Sequence, residues 1–134
     1  MIALDTNVLV RLLTGDDARA QRAAAALIEM RASAAEPAFV SQIVVVELFW
    51  VLRRLYRYSR EDIANALERF LSAGSFAFEG REAVRFALQA YRDGADFADA
   101  LIGERAKAAG CPAVYTFDAR AVSQLSAFVP ITYA

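Results

Sequence analysis

Apolar and polar positions alternate along this chain in blocks of two kinds, short apolar runs and longer stretches with helical spacing. MIAL is a short run stopped by Asp5, and TNVLVRLL after it has the spacing of a helix with Thr6 or Asn7 at its cap. Gly15, Asp16 and Asp17 mark a break, and ARAQRAAAALIEMRA, rich in alanine with polar residues on one side, predicts a second helix. AFVS after Glu36 and Pro37 fits a strand, and the apolar helix IVVVELFWVL follows it. A further helix begins near Ser59, a hydroxyl cap with Asp62 three residues on, and runs to Ala73 before Gly74. SFAFE predicts a strand. REAVRFALQAYRD and DFADALIGERAKAAG predict helices ended by Gly94 and Gly110, PAVYTF a strand, residues 119–125 a short helix and PITY a last weak strand.

Strands that alternate with helices predict an α/β fold, a three-layer sandwich with a mostly parallel central sheet. At 134 residues the chain is expected to be one domain spanning residues 1–134, without repeats or an interdomain linker. In such sheets ligands gather outside the carboxyl ends of the strands, where Asp5 and Asp118 fall.

Composition then removes several kinds of chemistry. Histidine is absent and Cys111 is the only cysteine, so there is no Ser-His-Asp or Cys-His machinery and no zinc site of the usual ligand types. Cys111, beside Pro112 in an apolar segment, is expected in the core. The chain opens without a basic segment, Asp5 interrupts its first apolar run, and no apolar run approaches the ~20 residues of a membrane span, so a soluble cytoplasmic protein is expected. Carboxylates are the main ionisable groups left for catalysis.

Glu47 stands out among them. If residues 43–52 are helical, its neighbours at three and four residues are Ile43, Val44, Trp50 and Val51, none able to pair with it, and the first cation on its face is Arg54. A buried ionised acid without a partner is costly enough that pairing or a metal is the expected explanation. Asp96 and Asp99, three residues apart, share a helix face in its first turn, and Gly103 beyond them leaves space. Asp5, Asp96 and Asp118 are also positioned to serve as turn or cap residues alone. If Asp5, Glu47, Asp96, Asp99 and Asp118 converge, they repel one another unless cations intervene, and all-oxygen ligation suits Mg²⁺ or Mn²⁺.

LDTNVLVRLL, VVVELFWVL, GADFADALIGERA and VYTFDARA resemble, in order and spacing, the motifs of the PIN-domain family in its VapC-type ribonuclease toxins, over nearly the whole chain. That resemblance implies that Asp5, Glu47, Asp99 and Asp118 bind Mg²⁺ or Mn²⁺, with Asp96 a frequent fifth acid and Thr6, Asn7, Ser41 and Thr116 as polar residues behind them. The family often carries lysines after the last aspartate, where this chain has Ala119 and Arg120. The resemblance also implies hydrolysis of RNA by an endoribonuclease, a homodimer, and a cognate antitoxin lying in an apolar groove. The chain is 57% apolar, an excess that suggests covered surfaces, and Leu12, Leu13, Phe49, Trp50, Leu52, Leu55 and Tyr56 are candidates for that groove.

RNA binding needs cations, and a net charge of -1 confines them to a local patch. Arg53, Arg54, Arg57 and Arg60, interleaved with Tyr56 and Tyr58, form the densest group, with Arg11 joining from the first helix; a solvated helix end is the competing explanation. Two other functions remain. A haloacid-dehalogenase-like or receiver-like phosphotransferase also uses a strand-end aspartate and Mg²⁺, but it wants an acid where Asn7 stands and a lysine near the phosphoryl group, and Lys107 lies two turns beyond Asp99. The other is a PIN-like binding module without catalysis.

Overall fold

The computed structural model describes residues 1–133. They hold seven helices and four short strands in two compact units, one ending at Arg81 and the other beginning at Glu82. Every strand pair is parallel, and each unit has its own two-stranded ladder. Parallel partners need long crossovers, which accounts for the helices between successive strands.

In the first unit β1 (Ala38–Val40) pairs with β2 (Phe76–Phe78), Phe39 standing opposite Ala77. The run expected as an opening strand makes one parallel bridge, Ala3 to Phe39, with Leu4 N–H donating to Phe39 O at 3.0 Å and Phe39 N–H to Ile2 O at 2.7 Å. It lies on the other side of β1 from β2, and α1 (Thr6–Leu13) starts immediately after it. The α1 cap is Asp5, whose carboxylate accepts from Thr6 N–H at 2.7 Å, one position before the expected Thr6 or Asn7.

Three more helices shape this unit. The alanine-rich α2 (Ala18–Arg31) packs on α1 but buries no residue completely, leaving Leu27 and Met30 exposed. The apolar α3 (Gln42–Arg54) is capped by the Ser41 hydroxyl, and the Glu79 carboxylate accepts from Gln42 N–H at 2.8 Å. Ser59 caps α4 (Arg60–Ser72) as expected, and Ile63, Ala64, Ala66, Leu67, Phe70 and Leu71 form its buried face, the stripe that a period of 3.6 produces. Leu9, Val40, Val45, Leu48 and Leu52 complete the core from the other elements.

In the second unit α5 (Arg81–Arg92) buries Val84, Ala87, Leu88 and Tyr91, and α6 (Phe97–Ala108) buries Phe97, Ala100 and Leu101. Gly94 at φ 110° and Gly110 at φ 88° end them in conformations that disfavour a side chain. A Cβ on Gly103 would sit 3.4 Å from Ala127 Cβ and 3.5 Å from the Phe128 ring. These are ordinary van der Waals contacts, and Gly103 also lines a cavity of ≈ 170 Å³ with Phe86, Glu104 and Lys107.

β3 (Val114–Thr116) pairs with β4 (Phe128–Pro130) across α7 (Ala119–Gln124). The last strand thus begins two residues before the expected PITY, because Phe128 supplies the buried anchor and Ile131 N–H still returns to Thr116 O at 2.9 Å. Cys111 is exposed rather than in the core, since it stands in the turn after Gly110.

Arg57 is the one non-glycine residue at positive φ among the described residues, at 57°. It turns the chain out of α3 so that Tyr58 N–H reaches back to Leu52 O at 3.0 Å. A residue with a Cβ pays for this conformation, so Arg57→Gly is expected to raise unfolding stability by about 0.5–1 kcal/mol and Arg57→Val to lower it. Urea denaturation checks this, and a destabilising Arg57→Gly would show that the turn is unstrained.

Candidate functional site

In the first unit a cleft of ≈ 350 Å³ runs between α1 and α3. Asp5, Thr6, Asn7, Val10 and Arg11 line one side, and Glu47, Val51 and Leu55 the other, with Tyr56 at the end of α3. The lining follows from helical spacing: Asn7 and Arg11 are one turn apart on α1, and Glu47, Val51 and Leu55 are successive turns of α3.

Glu47 is not buried as expected. It is exposed, in line with Ile43, Trp50 and Arg54, and two of those neighbours are themselves strongly exposed, Ile43 at 74% and Trp50 at 56%. Apolar residues surround this helix almost completely, so periodicity alone does not say which face meets the core. The partner Glu47 lacks on its own helix comes from α1: Thr6 Oγ1 donates to Glu47 Oε1 at 2.7 Å, forty-one residues away in sequence. Thr6 is buried, which fixes the hydroxyl and through it the carboxylate.

Ser41 and, of the arginines expected at an RNA surface, Arg53, Arg54, Arg57 and Arg60 lie outside the lining of this cleft. Ser41 spends its hydroxyl on the α3 cap. Arg53 donates to Tyr58 O at 3.1 Å, and Arg54 and Arg57 are exposed. Arg11 and Tyr56 do reach the cleft, and both are hydrogen-bonded to Asp16. Asp16 read as a simple break in the sequence; its bond to Tyr56 spans forty residues, and no local pattern announces it.

The second unit assembles three acids. Asp96 caps α6 by accepting from Asp99 N–H at 3.0 Å, and Asp118 caps α7 by accepting from Arg120 and Ala121 N–H at 2.9 and 3.3 Å. Thr116 Oγ1 accepts from Asp118 N–H at 2.9 Å and so orients that corner. Asp99, half-buried in the first turn of α6, is the acid whose charge is resisted. Burial raises its pKa above the ordinary carboxylate value, and the negative charges of Asp96 and Asp118 raise it further. Among the described residues no three acids already form an ion's cage. The donors are all oxygen, however, and a small hard cation such as Mg²⁺ keeps several waters and needs only one or two carboxylates at a time.

Comparison with known proteins agrees with the motif order. A family model described as PIN domain matches residues 2–126. The chain is 32% identical over 122 residues, 90% of its own length and 89% of the relative's, to a VapC ribonuclease from Aquifex aeolicus (strain VF5).

The raised pKa of Asp99 has a definite sign in stability. A carboxylate whose folded pKa lies above its unfolded value favours folding when protonated, and that contribution is lost as pH rises through the folded value. In metal-free protein at neutral pH, Asp99→Asn is therefore expected to melt at a higher temperature than the parent. The difference should shrink as pH falls through the raised folded value and be gone below the ordinary carboxylate value of about 4. Calorimetry in a chelator checks it, and a parent protein that melts at or above the variant would mean that Asp99 carries no such penalty.

Proposed function

The chain belongs to the PIN-domain family, and on that premise we propose that it is a Mg²⁺- or Mn²⁺-dependent ribonuclease, the toxin of a toxin–antitoxin pair, which hydrolyses RNA phosphodiesters endonucleolytically. The observation that carries the reading is the set of acids at the four motif positions in a chain without histidine, together with the ribonuclease named among its relatives. In this reading Asp5, Glu47, Asp99 and Asp118 are metal ligands.

When bound, the divalent ion supplies Lewis-acid polarisation of the phosphoryl oxygens and lowers the pKa of water at the site. The rest falls to the side chains. Thr6 holds the Glu47 carboxylate in one orientation through its 2.7 Å hydrogen bond. Asp5 and Asp118, each anchored to backbone amides, present their carboxylates at fixed strand-to-helix corners. Asp96 or Asp99 accepts the proton from the attacking water. Thr116 and Ser41 fix local corners, and Asn7 lines the cleft beside Asp5.

RNA phosphates are met by Arg11 and by Arg53, Arg54 and Arg57 in this reading. The exposed Ile43, Trp50 and Leu55 form part of the surface that a cognate antitoxin or a second copy of the chain covers in a homodimer. No helix among the described residues is long and apolar enough to cross a membrane, and the work is assigned to the cytoplasm, where RNA is available.

The test is cleavage of RNA by the purified protein with Mg²⁺ or Mn²⁺. Chelation with EDTA, Asp5→Asn and Asp99→Asn are each expected to lower the rate about a hundredfold or more. Cleavage that survives all three would remove the carboxylate–metal mechanism.

A further inference from the structure

The cleft between α1 and α3 has two chemically different ends. At one, Thr6 and Glu47 are joined by their hydrogen bond. At the other stand Arg11 and Tyr56, with apolar Val10, Val51 and Leu55 between. Leu55 follows Glu47 by eight residues, which is about 12 Å of helix, so the far end lies well beyond groups held by the acids of the first end.

Asp16 organises that far end. Its Oδ1 accepts from Thr14 Oγ1 at 2.8 Å and from Arg11 Nη1 at 3.2 Å, and its Oδ2 accepts from the Tyr56 hydroxyl at 2.9 Å. Thr14 is buried, so the carboxylate is anchored from below, while the Arg11 pair is largely open to solvent. An ion pair so exposed adds little to stability, and the ion pair's stability does not explain why three side chains meet on this one carboxylate. Arg11 gives Asp16 one of its several N–H donors, leaving others for a phosphate. Tyr56 gives its hydroxyl, which fixes the outer end of a ring that also meets Tyr58 edge to face at 6.1 Å. A fixed cation beside a fixed aromatic ring is the pairing that recognises one nucleotide of a single strand.

We propose that Asp16 is a positioning residue for substrate: it orients Arg11 toward a phosphate and Tyr56 toward a base of single-stranded RNA, next to the nucleotide being cut. The assignment rests on the ribonuclease reading above. The hydrogen bonds from Thr14 and Tyr56 hold the Asp16 carboxyl below the usual range, so the residue stays ionised wherever the enzyme works.

The experiment uses a fluorescein-labelled single-stranded RNA of randomised sequence, with affinity read by anisotropy against salt in EDTA and cleavage read separately with Mn²⁺. Asp16→Ala is expected to weaken binding and raise KM about tenfold, with kcat within about twofold and a modest fall in melting temperature from the lost acceptor of the buried Thr14 hydroxyl. Tyr56→Phe removes only the hydroxyl and should weaken binding less. Adding it to Asp16→Ala should cost nothing more, because Asp16→Ala has already removed the bond that the hydroxyl makes. Affinity, salt slope and KM equal to the parent's in Asp16→Ala would overturn the assignment and leave this end of the cleft to a protein partner. A variant that loses kcat and melting temperature together with KM unchanged would also overturn it, as a purely structural role. Parent protein that neither binds nor cuts any RNA would instead defeat the ribonuclease reading, and this assignment with it.

Discussion

A helix start leaves its first backbone amides without acceptors, and at four helix starts this chain supplies a carboxylate. Asp5, Asp17, Asp96 and Asp118 each accept from an amide of the helix that follows. At α3 and α4 the same need is met by the hydroxyls of Ser41 and Ser59, so an acid is not required for capping as such. Where aspartate is used, the positive end of the helix dipole favours its charge by about 0.3–1 kcal/mol, which makes a helix start a cheap place to keep an anion. Asp99 is the contrast. It caps nothing, lies half-buried behind Asp96 and beside the charge of Asp118, and its ionised form is the one that is disfavoured.

The same logic governs the α1–α3 cleft. Thr6 is buried because α1 must pack, and its hydroxyl finds an acceptor in Glu47, so an element of the core also aims an acid. Val10, Val51 and Leu55 separate that acid from Asp16, Arg11 and Tyr56, giving a groove that is charged at both ends and apolar between. Along α3 the core side holds Leu48 and Leu52 while Ile43 and Trp50 face outward. One helix thus serves packing, the cleft and an uncovered apolar surface at once.

Much of this was legible in the sequence because helices announce their ends. The Ser59 hydroxyl and the glycines at 94 and 110 placed α4, α5 and α6 closely, and the order of four acidic motifs pointed to the family that the whole-length match then showed. What was not legible depended on partners distant in sequence. The burial of Glu47 was misjudged because a helix apolar on nearly every face does not reveal which face is covered. Cys111 is turned outward by the Gly110 corner, and Asp16 owes its importance to Tyr56. Even the α1 cap moved one residue, because Asp5 accepts the amide that Thr6 or Asn7 was expected to serve.

The central claim is that two of the capping aspartates, Asp5 and Asp118, are also metal ligands. Asparagine caps a helix about as well as aspartate but carries no charge, so Asp5→Asn and Asp118→Asn separate the two roles. The measurement is Mn²⁺ binding to the parent and to each variant, followed by electron paramagnetic resonance, with circular dichroism to verify the fold. The account predicts folded variants whose Mn²⁺ affinity falls by at least about tenfold, more than 1.4 kcal/mol. Folded variants that bind Mn²⁺ as the parent does would contradict it and leave these residues as caps alone.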